Sequence, residues 1–154
     1  MPRIEVRIDD LSGHDVQALI RSHLDGMHDA SPAESVHALD IEGLRHPSIT
    51  FWSAWVDGDL AGIGALKRID AERGELKSMR VDDRFRGAGI GRALLRHILA
   101  AARDSGITGV WLETGSAEEF VPAVRLYESE GFTRCGPFDG YTDDPFSVFM
   151  TRAL

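Results

Sequence analysis

Residues 75–95, ELKSMRVDDRFRGAGIGRALL, decide how this chain folds. Glu75 to Val81 reads as a strand. From about Gly89 to Asp104, Ile90, Leu94, Ile98 and Ala102 recur on one face of a long helix. Glycines fill the joint, Arg86-Gly87-Ala88-Gly89-Ile90-Gly91. Glycine lets a backbone turn tightly and lets a ligand approach with no Cβ in the way. A helix start presents free N–H groups and positive potential, which suit a phosphate, and Arg84, Arg86 and Arg92 add charge nearby. A tight strand-to-helix turn with no ligand would use the same glycines, so the loop alone leaves both readings open. It is not a P-loop, because Gly91 is followed by Arg92-Ala93 rather than Lys-Ser/Thr. A dinucleotide site would put its glycine turn in the first βα unit of an alternating chain, and here several strands precede it.

Those earlier strands are antiparallel in pattern. Ile4-Glu5-Val6-Arg7-Ile8 alternates with period two. Ile49–Val56 and Leu60–Ile69 flank Asp57-Gly58, a strong two-residue hairpin signal. Between them, Ser12 with Asp15 three residues on suggests a helix cap, and Val16, Leu19, Ile20, Leu24 and Met27 continue at helical spacing to about His28. Ser31-Pro32-Ala33-Glu34 predicts a second, short helix to about Leu39. After the long helix, Gly106 offers a left-handed stop and Thr108–Glu113 is β-prone, completing one βαβ unit. Pro122–Glu130 predicts a helix closed by Gly131, and Phe132–Cys135 and Ser147–Thr151 the last strands. The expected fold is α+β: one domain over residues 4–154, with a mixed, mostly antiparallel twisted sheet of six or seven strands flanked by about four helices.

The 154 residues suit one domain, and 43% apolar residues can build its core. No apolar run reaches the ~18 residues of a membrane span, and Met1 to Val6 starts no long apolar leader. Cys135 is the single cysteine, which excludes an internal disulfide and fits a reducing cytoplasm. With no HExxH or CxxC spacing, no metal site is expected. The net charge of −8 is unevenly spread: residues 61–112 hold six acids and ten bases, against eleven and four in 1–60 and eight and two in 113–145. That balance argues against a nucleic-acid binder, which needs phosphate-neutralising Lys and Arg. It suits a phosphorylated ligand in the middle and a cationic substrate elsewhere, although an ordinary solvated surface fluctuates as much.

The segment Val81 to Leu95 closely resembles the acetyl-CoA motif of the GCN5-related N-acetyltransferases (the GNAT family), Q/R-x-x-G-x-G/A, with Arg86, Gly89 and Gly91 at its fixed positions. A second motif of that family is similar to Ala123-x-x-x-Tyr127-x-x-x-Gly131-Phe132. The resemblance covers nearly the whole chain from about Ile4. It implies an enzyme that passes acetyl from acetyl-CoA, a co-substrate, to a primary amine by direct attack. The alternative within the same fold is a non-catalytic acyl-CoA-binding sensor or interaction module. One departure favours that alternative: Phe120 stands where the family often has Asn. The expected partners are a small-molecule or peptide amine and, as an oligomer, a second copy of the chain in a homodimer, with no nucleic acid and no membrane.

Acetyl transfer needs an amine stripped of a proton, donors aimed at the thioester oxygen, and a proton for the departing thiolate. By resemblance, a bulge splays the fourth strand from the next, and backbone groups of Met79, Arg80 and Val81 bind the pantetheine arm and polarise the thioester. Arg86, Gly87, Ala88, Gly89, Ile90, Gly91 and Arg92 would hold the pyrophosphate. Ala123, being small, would leave the cofactor room, and Tyr127 matches the residue that protonates the thiolate. A Tyr packed at a helix–sheet contact is the structural alternative. Glu75 is the first choice of base and Glu113, at the end of the next strand, its rival. His28, Ser35 and His37 fall in the region that lines the acceptor site in this family. Trp52, Trp55 and Trp111 read as core. The loop Phe138–Pro145, acidic and aromatic, reads either as a cover over the acceptor or as a solvated turn.

Overall fold

The computed structural model describes residues 3–154. Met1 and Pro2, where the reading for a leader begins, lie outside the described residues. In chain order the elements are β1 (Ile4–Ile8), α1 (His14–Ala30), α2 (Ile41–Leu44), β2 (Ile49–Val56), β3 (Asp59–Arg68), β4 (Arg73–Val81), α3 (Ile90–Asp104), β5 (Gly109–Gly115), α4 (Val121–Ser129), β6 (Thr133–Cys135) and β7 (Ser147–Ala153). Single 3-10 turns lie at Ala33–Ser35, Asp83–Phe85 and Glu118–Phe120. The strands form one sheet in the order β1-β2-β3-β4-β5-β7-β6. Every pair is antiparallel except β4 with β5, which α3 joins as a crossover. Among the described residues this is the expected mixed, mostly antiparallel α+β sheet, with seven strands and four helices.

Each face of the sheet carries its own core. On one side α3 buries Ile90, Leu94, Leu95, Ile98, Leu99 and Ala102 against Leu66, Leu76, Val110, Leu112 and Met150. A buried leucine such as Leu94 stabilises by about 2–5 kcal/mol relative to alanine. On the other side α1 and α2 pack Val16, Leu19, Ile20 and Leu44 against Phe51, Leu60, Ile63 and Ala65. The Asp57-Gly58 turn has φ of 50° and 84°, the left-handed pair a tight hairpin needs.

Local signals between β1 and β2 were less reliable. The N-cap of α1 is Gly13, not Ser12. The Ser12 hydroxyl instead donates to Asp10 Oδ1 at 2.6 Å, a local turn that outcompetes capping. The expected helix from Ser31 to Leu39 shrinks to one 3-10 turn, since Val36 is extended and the Ser35 side chain is drawn to Asp144. The chain forms α2 a few residues later, capped by the Asp40 side chain accepting from the Gly43 N–H at 2.8 Å. Four residues are too few to show a period in the sequence.

Candidate active site

Two irregularities open the sheet in its middle. Opposite β3, the register of β4 slips: Lys77 pairs with Ala65, but Arg80 pairs with Ile63. Ser78 and Met79 therefore stand opposite Gly64 alone, a β-bulge, and Ser78 takes φ of 57°, a strained value for a side-chain-bearing residue. The missing side chain of Gly64 makes the bulge possible, because a Cβ there would sit 2.6 Å from Met79 Sδ. Toward β5, pairing ends at Leu76 with Leu112, although β4 runs on to Val81 and β5 to Gly115. The facing edges of 77–81 and 113–115 diverge with their backbone groups unpaired across the gap. A cavity of about 910 Å³ fills the space. Backbone groups without partners are costly to bury, and an extended ligand with amide groups, such as a pantetheine arm, can pair with both edges.

The glycine loop rims this cavity. Gly87 and Gly89 have φ of 79° and 82°, and Gly89 is the N-cap of α3. Nothing lies within 4 Å of where a Cβ would stand on either. The first N–H groups of α3 are thus unshielded, the setting for a phosphate. Met79, Arg80, Val81, Arg86, Gly87, Gly89, Ile90, Gly91, Arg92 and Ala123 all line the cavity, and Ala88 does not. Arg86 is held 2.8 Å from Asp83, and Arg92 3.3 Å from Glu130.

Tyr127, on α4, lines the same cavity and is 6% exposed. Burial pushes its hydroxyl pKa up, so it stays protonated at neutral pH and can donate. Phe120 also lines the cavity, its ring laid on Gly115 where a Cβ would overlap it. That ring covers the end of β5 and supplies no polar contact.

On the α1 side of the sheet the lining is polar side chain. Glu75, 2% exposed, is no surface carboxylate at a strand start. Its Oε2 accepts from Lys77 Nζ at 3.0 Å and from the Tyr141 hydroxyl at 2.7 Å. Lys77 Nζ also reaches that hydroxyl at 3.2 Å. Tyr141 belongs to the acidic aromatic loop, which folds back onto the sheet: its ring meets His37 and Phe149 edge-on and packs tilted against Phe138, and Ser35 Oγ donates to Asp144 Oδ2 at 2.5 Å. Burial, then the negative charge of Glu75, raises the Tyr141 pKa. Burial raises the Glu113 pKa from 4.5 to about 7, against the opposing pull of the Ser147 hydroxyl and then of Lys77.

The residues expected to line an acceptor site separate. His37 lines the cavity, while Ser35 is buried behind it on Asp144. His28 is exposed on α1 and faces away. The α1 residues on the cavity are His23, Gly26, Met27, Asp29 and Ala30, and His28 is not among them. His23 and Lys77 were missed. Lys77 could have been found from Glu75, since residues two apart on a strand share a face, and His23 from Met27, one helical turn away. Among the described residues, no group of three or more His, Cys, Asp or Glu could hold a metal ion, and no helix is long and apolar enough to cross a membrane.

Comparisons agree with this architecture. The sequence model of the Acetyltransferase (GNAT) family matches residues 16–132. The uncharacterised N-acetyltransferase YsnE of Bacillus subtilis is 49% identical over 98% of this chain and 100% of its own length. The uncharacterised N-acetyltransferase YedL of Escherichia coli is 46% identical over 97% of this chain and 94% of its own. Among solved structures, a Klebsiella pneumoniae protein assigned as an acyl-CoA N-acyltransferase superposes with a TM-score of 0.83 at 27% identity, covering 98% of this chain and 97% of that one. An Elizabethkingia anophelis acetyltransferase, solved with acetyl-CoA bound, shares the fold at a TM-score of 0.72 and 17% identity over 98% of both chains.

Proposed function

The chain belongs to the Acetyltransferase (GNAT) family and is an acyltransferase, and from that premise we propose that it transfers acetyl from acetyl-CoA to a primary amine by direct attack. The observation that carries the proposal is the gap between β4 and β5. Its free strand edges, the bulge at Ser78 and the glycine rim fit a pantetheine arm ending in a pyrophosphate. A fold relative is known with acetyl-CoA bound, which supports the same donor here.

In this reading the pyrophosphate rests on the loop 86–92 and the thioester lies beside the bulge. Backbone groups of 79–81 orient the arm, and one N–H polarises the carbonyl where negative charge develops. The amine enters from the α1 side as an ammonium. Glu113 takes its proton, directly or through water. With a pKa of about 7 it is largely ionised at pH 8, yet basic enough to accept a proton. The amine nitrogen bonds to the acyl carbon, the carbon–sulfur bond breaks, the Tyr127 hydroxyl gives its proton to the thiolate, and the proton the nitrogen sheds in becoming an amide returns to the Tyr127 oxygen, directly or through water. Glu113 thus replaces Glu75 as the preferred base. Glu75, fastened by Lys77 and Tyr141, positions Lys77 and the loop. The domain is taken as residues 4–154, because the sheet draws a strand from each end of that span.

A panel of primary amines incubated with acetyl-CoA, followed by thiol release, tests the proposal. CoA should appear with at least one amine, and its rate should follow an acidic limb with an apparent pKa near 7 set by Glu113. Release with no amine would overturn the reading, as would turnover without any such limb.

A further inference from the structure

The β4 side chains on the α1 face include two cations, and they differ. Lys77 is matched, held within 3.0 Å of Glu75 and 3.2 Å of the Tyr141 hydroxyl. Arg80 is not. Its Nε is buried with no hydrogen-bond partner among the described residues. Its ion pair with Asp83 is long, 3.9 Å, and that exposed carboxylate already sits 2.8 Å from Arg86. Arg80 nevertheless lines the central cavity.

Register assigns its side. Arg80 pairs with Ile63, whose side chain lies in the α1-side core, whereas Met79 and Val81 pack into the α3-side core. The Arg80 side chain therefore lies on the α1 face, across the sheet from the core that α3 builds. Helix α1 meets it at Gly26, where a Cβ would stand 3.5 Å from Arg80 Nη1. The neighbouring His23 offers no charge to match it: burial, then the Arg80 charge itself, lowers the imidazole pKa to about 4. The one acid of α1 on the cavity, Asp29, is exposed. A guanidinium with idle donors thus shares the amine's compartment with Glu113.

Resting on the proposed amine acetylation, we infer that the acceptor is an amino acid, a small molecule carrying a carboxylate beside its amine, and that the Arg80 guanidinium holds this carboxylate. A guanidinium offers two parallel N–H bonds to a planar carboxylate. One carboxylate also matches one guanidinium in charge. A dianionic phosphate would leave a negative charge over in a space that already holds Glu113. Glu113 follows Leu112, which is level with Leu76, so it stands beside Lys77. Arg80 lies three residues farther along β4, on the order of 10 Å of strand, a separation that two long side chains close around a small molecule.

The test is the wild-type enzyme with glycine, β-alanine, 4-aminobutyrate, methionine and phenylalanine, each against its carboxamide, at saturating acetyl-CoA with CoA release as readout. At least one acid should exceed its amide about tenfold in kcat/KM. Arg80→Gln should shrink that ratio to about twofold through the acceptor KM, Arg80→Lys should keep part of it, and calorimetry should find acetyl-CoA affinity within about threefold of wild type. Equal wild-type rates for acids and amides overturn the inference while leaving amine acetylation intact. So does an Arg80→Gln variant whose main loss is acetyl-CoA affinity, which gives the side chain to the donor. No CoA release with any amine overturns the proposed function and takes this inference with it.

Discussion

On the α3 side of the cavity the ligand-facing surface is mostly backbone: the glycine rim at Gly87 and Gly89, the start of α3, and the unpaired edges of β4 and β5. On the α1 side it is side chain: His23, His37, Lys77, Arg80 and Glu113. A backbone surface can bind the same group whatever residues surround it, and it fits a donor shared by many acceptors. A side-chain surface is rebuilt by substitution, and it fits an acceptor that differs from enzyme to enzyme. The two surfaces should therefore fail differently when mutated.

The largest expected effect falls on the backbone side. Gly89→Asp places a Cβ at φ of 82°, where L residues are strained, and a negative charge beside the proposed pyrophosphate. Acetyl-CoA affinity by calorimetry should fall more than a hundredfold. Unchanged affinity would remove the loop from the donor site and erase the division between the two surfaces.

The next effect sharpens the acceptor side. Glu113→Gln should lower kcat/KM at pH 8 by roughly thirtyfold and remove the acidic limb near pH 7, with acetyl-CoA affinity little changed. The same change should stabilise the fold. The native pKa of Glu113 is raised to about 7 from 4.5, so the folded state favours the protonated carboxyl. Its contribution is fully present below about pH 4.5 and lost as pH rises through 7. Above pH 7 the ionised form costs about 1–3 kcal/mol, discounted for partial exposure. Glu113→Gln should therefore raise the melting temperature at pH 8 and leave it nearly unchanged at pH 4. If the acidic limb survives in Glu113→Gln and vanishes in Glu75→Gln, the base is Glu75.

Tyr127 sits where the surfaces meet. Tyr127→Phe should lower kcat by somewhat more than tenfold and leave acetyl-CoA affinity within about twofold, because the hydroxyl is needed only as the thiolate leaves. Wild-type turnover in this variant would make Tyr127 a packing residue of the α4–sheet contact, where it already stacks with Phe132 at 5.8 Å.

The same division explains what the sequence disclosed. The glycines at 87, 89 and 91, the period of α3 and the Asp57-Gly58 turn are local, and each was readable because the physics acts within a few residues. The antiparallel start and the single crossover followed from them, whereas the seating of β7 between β5 and β6 rests on pairing between distant residues. Glu75 and Glu113 could be named as rivals but not ranked. Their difference comes from Tyr141, 66 residues from Glu75, whose hydroxyl bonds one carboxylate and not the other. Ser35 was placed in the right region for the wrong use, since its partner Asp144 lies 109 residues away. Arg80 was named for its backbone alone. Its idle guanidinium is visible only once the bulge at Ser78 has turned it toward α1.

The smallest effect is the most discriminating. Tyr141 does not line the cavity, but it bridges Glu75 and Lys77 at 2.7 and 3.2 Å. Tyr141→Phe removes both bonds and keeps the ring, so the edge-on and tilted ring contacts with His37, Phe138 and Phe149 at 5.0, 4.9 and 5.6 Å persist and the loop stays folded. Glu75 retains Lys77 at 3.0 Å, so no buried charge is left alone. A hydrogen bond to a charged group contributes about 1.5–3 kcal/mol. With the Glu75–Lys77 pair intact, only the lower end of that loss should reach the melting temperature. Lys77, freed on one side, becomes less fixed along the acceptor wall. The acceptor KM should rise about threefold, with kcat within twofold and acetyl-CoA affinity unchanged. If the change falls on acetyl-CoA affinity instead, the loop 138–145 supports the donor gap, and the boundary between the backbone surface and the side-chain surface runs through β5 rather than along β4.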